Sequence, residues 1–408
     1  MSEHWPYLEL GTIGVKVLDC EHRTPPAAAS GYPYIAIPDL VDGRLALENV
    51  RLISGDDLKE WTRRTRPQSG DIIVTRRGRV GDTAVIPSGI ECAIGQNLVI
   101  LRSDGSFVDQ AYLRWASRGP LWRSEVERLH NVGAIFDSLN VSDIPRIRIS
   151  VPPIHKQRAI VSMLTALDGK IVVNEQIRSA AWDLAKALFD RSCRDGSALQ
   201  EFSIADVAYV FDGPHATPTK TSDGPWFLSI SSLRNGFLDL AESAHLSESD
   251  FVQWTRRVTP QAGDILFSYE TRLGQAAIMP NGLRGCLGRR MAIMRPKRGI
   301  ESILLLLTYL SCNFQERIRA GAVHGATVDR IPLSEFASWK ITLPIAETRH
   351  QVSSTLKALY DRAIWSMNES HLLRELRDTL LPKLISGELQ IRDVEKTVED
   401  AVRQKRHR

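Results

Sequence analysis

The sequence predicts an α+β protein of two tandem-duplicated domains, separated by two long antiparallel coiled-coil helices and related by a pseudo-twofold axis. Three observations lead there. The chain carries a gapless internal repeat. Two long stretches place apolar residues at helical spacing, and short strand-like runs punctuated by turn residues fill each repeat.

The repeat comes first because it sets the frame. Residues 31–102 align with 224–295 at a constant offset of 193. Its clearest block is Trp61-Thr62-Arg63-Arg64-Thr65-Arg66-Pro67-Gln68-Ser69-Gly70-Asp71-Ile72. Nine of those twelve positions are identical in Trp254-Thr255-Arg256-Arg257-Val258-Thr259-Pro260-Gln261-Ala262-Gly263-Asp264-Ile265, a match that chance does not produce. Gly31, Gly43, Arg79 and Gly81 recur as Gly224, Gly236, Arg272 and Gly274.

The first domain, 1–151, shows strand-like runs at Tyr34–Ile37, Asp71–Thr75, Thr83–Ile86 and Leu98–Leu101, separated by turns such as Pro87-Ser88-Gly89. Helical stretches follow at about Asp109–Arg118 and Leu121–Leu129, and the alternating Ile147, Ile149 and Val151 return as a strand. A first long helix occupies 152–196. Pro152-Pro153 suit a helix start, where the first amides need no partner. Ile160, Leu164, Leu167, Ile171, Ile177, Ala181, Leu184 and Leu188 form a seam with a register slip at Asn174, and Gly196 follows as the stop. About 36 helical residues span roughly 54 Å, which makes a strut rather than an ordinary core helix. The second domain, 197–343, repeats the order through Ile303–Ser311, Phe314–Arg319 and Trp339–Leu343. A second long helix, 344–392, carries Leu356, Leu359, Ala363, Met367, Leu373, Leu376 and Leu380, with Pro382 expected to break it. Residues 393–408 form a basic C-terminal tail.

Bulk numbers agree with this plan. At 408 residues the chain is long enough for two separate cores, and its 43% apolar and 25% charged content is ordinary for a globular protein. The N-terminal MSEHWPYLEL has no basic-then-apolar leader. The longest apolar run, Ile303 to Leu310, is too short for a bilayer, so a cytoplasmic protein is expected. Five scattered cysteines with no CxxC pair argue against structural zinc and against a disulfide framework. The net charge of +4 is mild. Residues 1–151 nevertheless hold 16 Arg against 2 Lys, and Arg suits bidentate contact with phosphates and guanine edges.

Catalytic patterns are absent. There is no GxGxxG, no P-loop, no HExxH and no NPPY-like tetrapeptide. Pro38-Asp39 followed by Glu48 resembles the acidic half of a nuclease site, but no lysine accompanies Glu48, and the second copy has Ser231-Ser232 in place of Pro38-Asp39. No catalytic residue and no metal ligand is therefore assigned. The strongest candidate is the loop Thr75-Arg76-Arg77-Gly78-Arg79-Val80-Gly81, where Arg76, Arg77 and Arg79 sit on a glycine-punctuated turn able to approach DNA. Its counterpart keeps one arginine, Arg272, and replaces the others, with Tyr269 in place of Arg76, as reading two different sequences requires; a solvated hairpin tip would look the same. Gln96-Asn97, matched by Arg289-Arg290, is a second divergent polar spot, because Gln and Asn read adenine and Arg reads guanine. Capping roles fit these four residues equally well. Asn131-Val132-Gly133-Ala134 and Gly321-Ala322-Val323-His324-Gly325 are loops placed to close over a groove.

The order domain, long helix, domain, long helix resembles the specificity subunit of type I restriction–modification systems. Leu376-Arg377-Asp378-Thr379-Leu380-Leu381-Pro382-Lys383-Leu384-Ile385-Ser386-Gly387-Glu388-Leu389 is similar to that family's second conserved helix. Pro152-Pro153-Ile154-His155-Lys156-Gln157-Arg158-Ala159-Ile160-Val161 is similar to its first. The resemblance covers about 5–392. It implies two target-recognition domains that each read half of a split double-stranded DNA sequence. It also implies two modification (methyltransferase) subunits docked on the helices, through residues such as Gln157, Arg158, Leu376, Arg377 and Lys383, and a restriction or motor subunit beyond them. S-adenosylmethionine, ATP and Mg are expected on those partners and no cofactor in this chain. Two readings of other classes stand beside it: a self-sufficient DNA nuclease with a divergent metal site, which the missing paired carboxylates disfavour, and a helical scaffold with no DNA role.

Overall fold

The computed structural model describes residues 5–390 apart from 131–136, 195–198, 215–216, 242 and 326–327. The chain divides into two compact units, Met1–Val172 with Ser370–Arg408, and Val173–Glu369. Each unit joins a globular part to a stretch of both long helices. Gly196, Asn131–Ala134 and the basic tail lie outside the described residues.

In the first unit a four-stranded antiparallel sheet has the order Val15–Asp19, Leu98–Ser103, Ile72–Thr75, Thr83–Val85. Alternate side chains of a strand point to opposite faces. Ile72, Val74, Val99 and Leu101 accordingly pack with Leu113, Trp115, Trp122 and Val126 from the helices Gln110–Ala116 and Gly119–Leu129. Ile73, Leu98 and Ile100 pack on the other side with Ile35, Leu40 and Ala84. Because both faces are covered, the central strands read as unbroken apolar runs rather than as alternating ones. A three-stranded sheet of Arg51–Ile53, Tyr32–Ile35 and Ala93–Ile94 lies alongside, with its last pair parallel.

The second unit builds the same topology. Its four strands run Ala208–Asp212, Met291–Pro296, Ile265–Ser268, Ala276–Ile278, and its three-stranded sheet runs Ala244–His245, Thr221–Leu228, Gly285–Leu287. Register is preserved as well: Leu98 faces Thr75 in the first sheet, and Met291 faces Ser268 in the second, each pair displaced by 193. The duplicated α+β fold predicted from the sequence is present as one topology made twice.

The recurring Gly-Asp-Ile blocks have a structural explanation. Asp71, 2% exposed, takes a two-pronged hydrogen bond from Arg102 at 2.7 and 2.6 Å and also accepts from the Gln68 amide at 2.7 Å. Asp264 does the same with Arg295, at 2.8 Å for both prongs, and with the Gln261 amide at 2.8 Å. Each aspartate therefore ties a strand entry to the neighbouring strand. Asp71→Ala or Asp264→Ala is expected to destabilise its unit by about 1.5–3 kcal/mol, the range for hydrogen bonds to charged groups, as read by urea unfolding. No change in midpoint would deny the lock.

The long helices are Ile154–Arg194 and Ala346–Ser386. In the second unit they run antiparallel, since Asn174 donates to Glu369 (2.6 Å) while Trp182 meets Tyr360 with ring centroids 5.8 Å apart. In the first unit Ile160 and Leu164 share a core with Leu381, Leu384 and Ile385. Two expectations are corrected here. The helix does not break at Pro382, because burial of Leu381, Leu384 and Ile385 holds the last turn although proline has no N–H for the Asp378 carbonyl. Gly387 ends it instead, at φ 78°. The seams also differ: Leu184 and Leu376 are 49% and 45% exposed, while Asp168, Asn174, Ala185 and Arg377 face inward.

That inward arginine meets a hairpin. Leu40–Val41 and Arg44–Leu45 are joined by Asp42 and Gly43, with φ 48° and 74°, the left-handed pair that a two-residue hairpin requires. Arg377, 1% exposed, donates to Asp168 at 2.8 Å and to Asp42 at 3.2–3.4 Å. Arg114 donates to Asp168 at 2.5 Å, Arg44 lies 3.4 Å from it, and Arg118 donates to Asp42 at 2.8 Å. Burial alone would raise the Asp168 carboxyl; the guanidinium hydrogen bond from Arg377 and the charges of Arg44 and Arg114 hold it below its ordinary value. The matching hairpin of the second unit, Leu233–Arg234 with Phe237–Leu238, meets aromatic rings instead. Phe237 lies 5.1 Å from Trp182 and 5.6 Å from Tyr360, and the Tyr360 hydroxyl donates to Gly236 O at 2.9 Å. Among the described residues no helix is long and apolar enough to cross a membrane.

Candidate nucleic-acid interface

One edge of each four-stranded sheet gathers the polar loops. In the first unit the strand ends Asp19 and Thr75 flank the start of Leu98–Ser103, since Asp19 faces Val99 and Thr75 faces Leu98. The arginine loop leaves from Thr75, and Gln96-Asn97 lie just before Leu98. The loop is internally braced: the Thr75 hydroxyl donates to the Arg79 carbonyl, and the Gly81 amide donates to Thr75 O at 2.9 Å. Gly81 has φ 80°, and a Cβ there would sit 2.7 Å from Val126 Cγ1, so glycine is required for the turn to close on its helix.

The three arginines separate into different roles. Arg79 donates to Ile37 O and Leu40 O at 2.5 and 2.9 Å, stapling the loop to the neighbouring turn. Arg272 makes the corresponding contact to Ile230 O at 3.5 Å, so the arginine that recurs in both copies is a structural staple. Arg76, with its side chain 16% exposed, donates to Leu139 O at 3.3 Å and lies 3.8 Å from Asp19. Arg77 is exposed and its guanidinium has no partner among the described residues. The loop thus offers one free cation where the sequence suggested three. Gln96 is exposed; Asn97 is half-buried, and its carbonyl accepts from the Arg76 amide at 2.8 Å.

The second unit places different chemistry on the same edge. Tyr269 is 7% exposed within the core, where burial and the nearby Asp212 push its phenol up, so its ring is not offered to solvent. Arg290 sits at φ 72°, pairs with Glu270 at 2.8 Å and donates to the Thr271 hydroxyl at 3.0 Å. Arg289 is exposed and, with Arg290, Phe227, Ser229 and Ser231, lines a cavity of about 380 Å³. The segment after Gly321 pairs Val323–His324 with Asp329–Arg330 and rests against this loop, the Thr271 amide donating to Asp329 O at 3.4 Å.

The predicted partner-facing helix residues also divide. Gln157 is fully buried, accepts from the Asp109 amide and donates to Phe107 O and Pro152 O, each at 2.8 Å; it anchors the helix start to its own domain. Arg377 is committed to the aspartates. Arg158, Leu376 and Lys383 are exposed. Sequence reasoning missed Asp42, Asp168 and Arg114. The signal was available in the Asp42-Gly43 turn and in a carboxylate at Asp168 in the seam register. One trio of potential metal ligands, Asp19, Cys20 and His22, lies among the described residues. Cys20 Sγ already donates to Gly95 O and Leu98 O, and burial pushes the thiol up to about 11, so the trio is satisfied without an ion.

The family model described as type I restriction modification DNA specificity domain matches residues 23–181. A putative type I restriction enzyme MjaX specificity subunit from Methanocaldococcus jannaschii is 21% identical over 392 residues, covering 89% of this chain and 88% of that one. The type I restriction enzyme MjaIX specificity subunit of the same organism is 20% identical, covering 84% and 83%. The crystal structure of the type I restriction–modification S subunit from M. genitalium shares the fold, with a TM-score of 0.60 at 15% identity over 93% of this chain and 96% of that one. The chain thus carries a match to the type I restriction modification DNA specificity domain over residues 23–181, is similar over most of its length to type I restriction enzyme specificity subunits, and shares the fold of one solved S subunit.

Proposed function

We propose that the chain reads a bipartite double-stranded DNA target, with 1–151 and 197–343 as its two recognition domains, and docks two modification subunits through its long helices. One observation carries this reading. A single sheet topology is built twice in one register, and the loops on the same edge differ: Arg77 and Gln96 in one copy, Arg289 and Arg290 in the other. A shared scaffold with divergent readers is what a split asymmetric target demands. For the partner subunits, Leu372 and Leu376 lie one turn apart and 64% and 45% exposed, leaving an apolar outer face beside the exposed Lys383. Catalysis, S-adenosylmethionine, ATP and Mg belong on those partners, and a restriction or motor subunit completes the assembly.

The test is methylome sequencing of cells that express the chain with its modification partner. A split motif methylated on both strands, lost when the chain is omitted, is the expected result. Unmethylated DNA in cells where the complex demonstrably assembles defeats the reading.

A further inference from the structure

Several charged residues are identical in the two copies, and the fold accounts for nearly all of them. Asp71 with Arg102 and Asp264 with Arg295 are locks, and Arg79 and Arg272 are staples. Asp57 and Asp250 sit in the first turn of helices capped by Ser54 and Ser247. Arg64 and Arg257 each donate to a backbone carbonyl at 3.4 Å, Cys20 O and Gly213 O. One pair is left over. Arg63 and Arg256 are exposed, and among the described residues neither guanidinium has a hydrogen bond or a carboxylate partner.

Their backbone positions are firmly set. Each follows the C-cap of a seven-residue helix, Gly55–Trp61 or Glu248–Trp254. The capping threonines Thr62 and Thr255 donate to Leu58 O and Phe251 O at 2.7 Å each. The next residue, Arg64 or Arg257, ties the segment to the loop beyond the first strand of the sheet, and Thr65 donates to Asp19 O at 2.6 Å. Both arginines therefore stand beside the edge that carries the divergent loops. Asp19 lies 3.8 Å from Arg76, and Asp212 lies 3.7 Å from Arg257.

An exposed cation that is the same in both copies cannot report the difference between two half-sites. What two half-sites share is the sugar-phosphate backbone, which positions a protein without specifying sequence. We propose that Arg63 and Arg256 are paired phosphate anchors, one per recognition domain, that set each sheet edge against the DNA backbone while the divergent loops read bases. This rests on the function proposed above.

The experiment uses the full chain assembled with its modification partner. The probes are a duplex carrying the methylome-defined motif and a scrambled duplex of equal length. Arg63→Ala, Arg256→Ala and the double variant are titrated at several salt concentrations. Each single change is expected to weaken both duplexes and to reduce the salt slope by about 0.9, with the double variant losing about twice that. The affinity lost between about 50 and 200 mM salt then shrinks about 3.5-fold per arginine. Arg63→Lys should keep most of the slope, because a phosphate accepts a point charge where a base edge wants the guanidinium fork. The thermal midpoint and the methylated motif should not move. An unchanged slope overturns the proposal. So does relaxation of one half of the motif, which would make the arginine a base reader, and so does weakened subunit assembly with an unchanged slope, which would make it a protein contact. Failure of the wild-type complex to bind either duplex is a separate outcome that removes the parent reading together with this one.

Discussion

Asp168→Ala is expected to lower the stability of the first unit by about 3–5 kcal/mol, the range for removing one member of a buried ion pair. The reason is the company it leaves. Arg377 at 1% exposure and Arg114 would both lose a carboxylate partner, and Arg44 and Arg118 lie in the same cluster, where Asp42 and Asp378 also carry negative charge. Arg377→Ala is expected to be milder, because Arg114 and Arg44 still serve Asp168. A double-mutant cycle on Asp168 and Arg377, read by urea unfolding, checks the coupling; additive losses would deny it. The pH dependence has a definite sign. A carboxyl held below its ordinary value in the folded state contributes stability above that ordinary value, about 3.9, and loses it as pH falls through the folded one. Asp168→Asn should therefore flatten the acid side of the stability profile.

The second large effect concerns the free cations of the divergent loops. Arg77→Ala and Arg289→Ala are each expected to reduce affinity for the methylome-defined duplex by about 1–3 kcal/mol, roughly 5- to 150-fold, if each guanidinium holds a base edge. Each should relax one half of the methylated motif and leave the other intact. Equal weakening on a scrambled duplex would reassign the residue to the backbone. Arg79→Ala and Arg272→Ala are expected to behave differently. They release a turn at Ile37 or Ile230, so they should lower the thermal midpoint before they alter the motif.

These residues show where sequence reading works. The repeat was legible because a gapless offset of 193 survives wherever Gly, Asp and Arg serve backbone geometry, as Asp71, Arg102 and Gly81 do. The helices were legible from their period. Their seam was not, because an apolar count passes over small and polar buried groups: Asp168, Asn174, Ala185, Ser366 and Arg377 occupy inward positions, and the exposed Leu184 and Leu376 each lie one step from one of them. Pro382 was read as a local breaker, and tertiary burial overruled it. Arg76, Arg77 and Arg79 were indistinguishable as letters, because their roles depend on Leu139, Asp19 and Ile37, which lie far away in sequence.

The hairpin at Asp42 also bears on how freely recognition domains can be exchanged between chains of this kind. Asp42, Arg44, Arg114 and Arg118 travel with the first globular part, whereas Asp168 and Arg377 stay with the helices. A donor domain grafted into the first position arrives at a socket that already holds a carboxylate and a guanidinium. If it brings an aromatic tip of the Phe237 kind, it strands both charges out of water. The second socket, lined by Trp182 and Tyr360, makes the opposite demand and excludes a charged tip. A donor bringing an aromatic tip to the first position, or a charged tip to the second, is therefore expected to lower the thermal midpoint of the assembled chain.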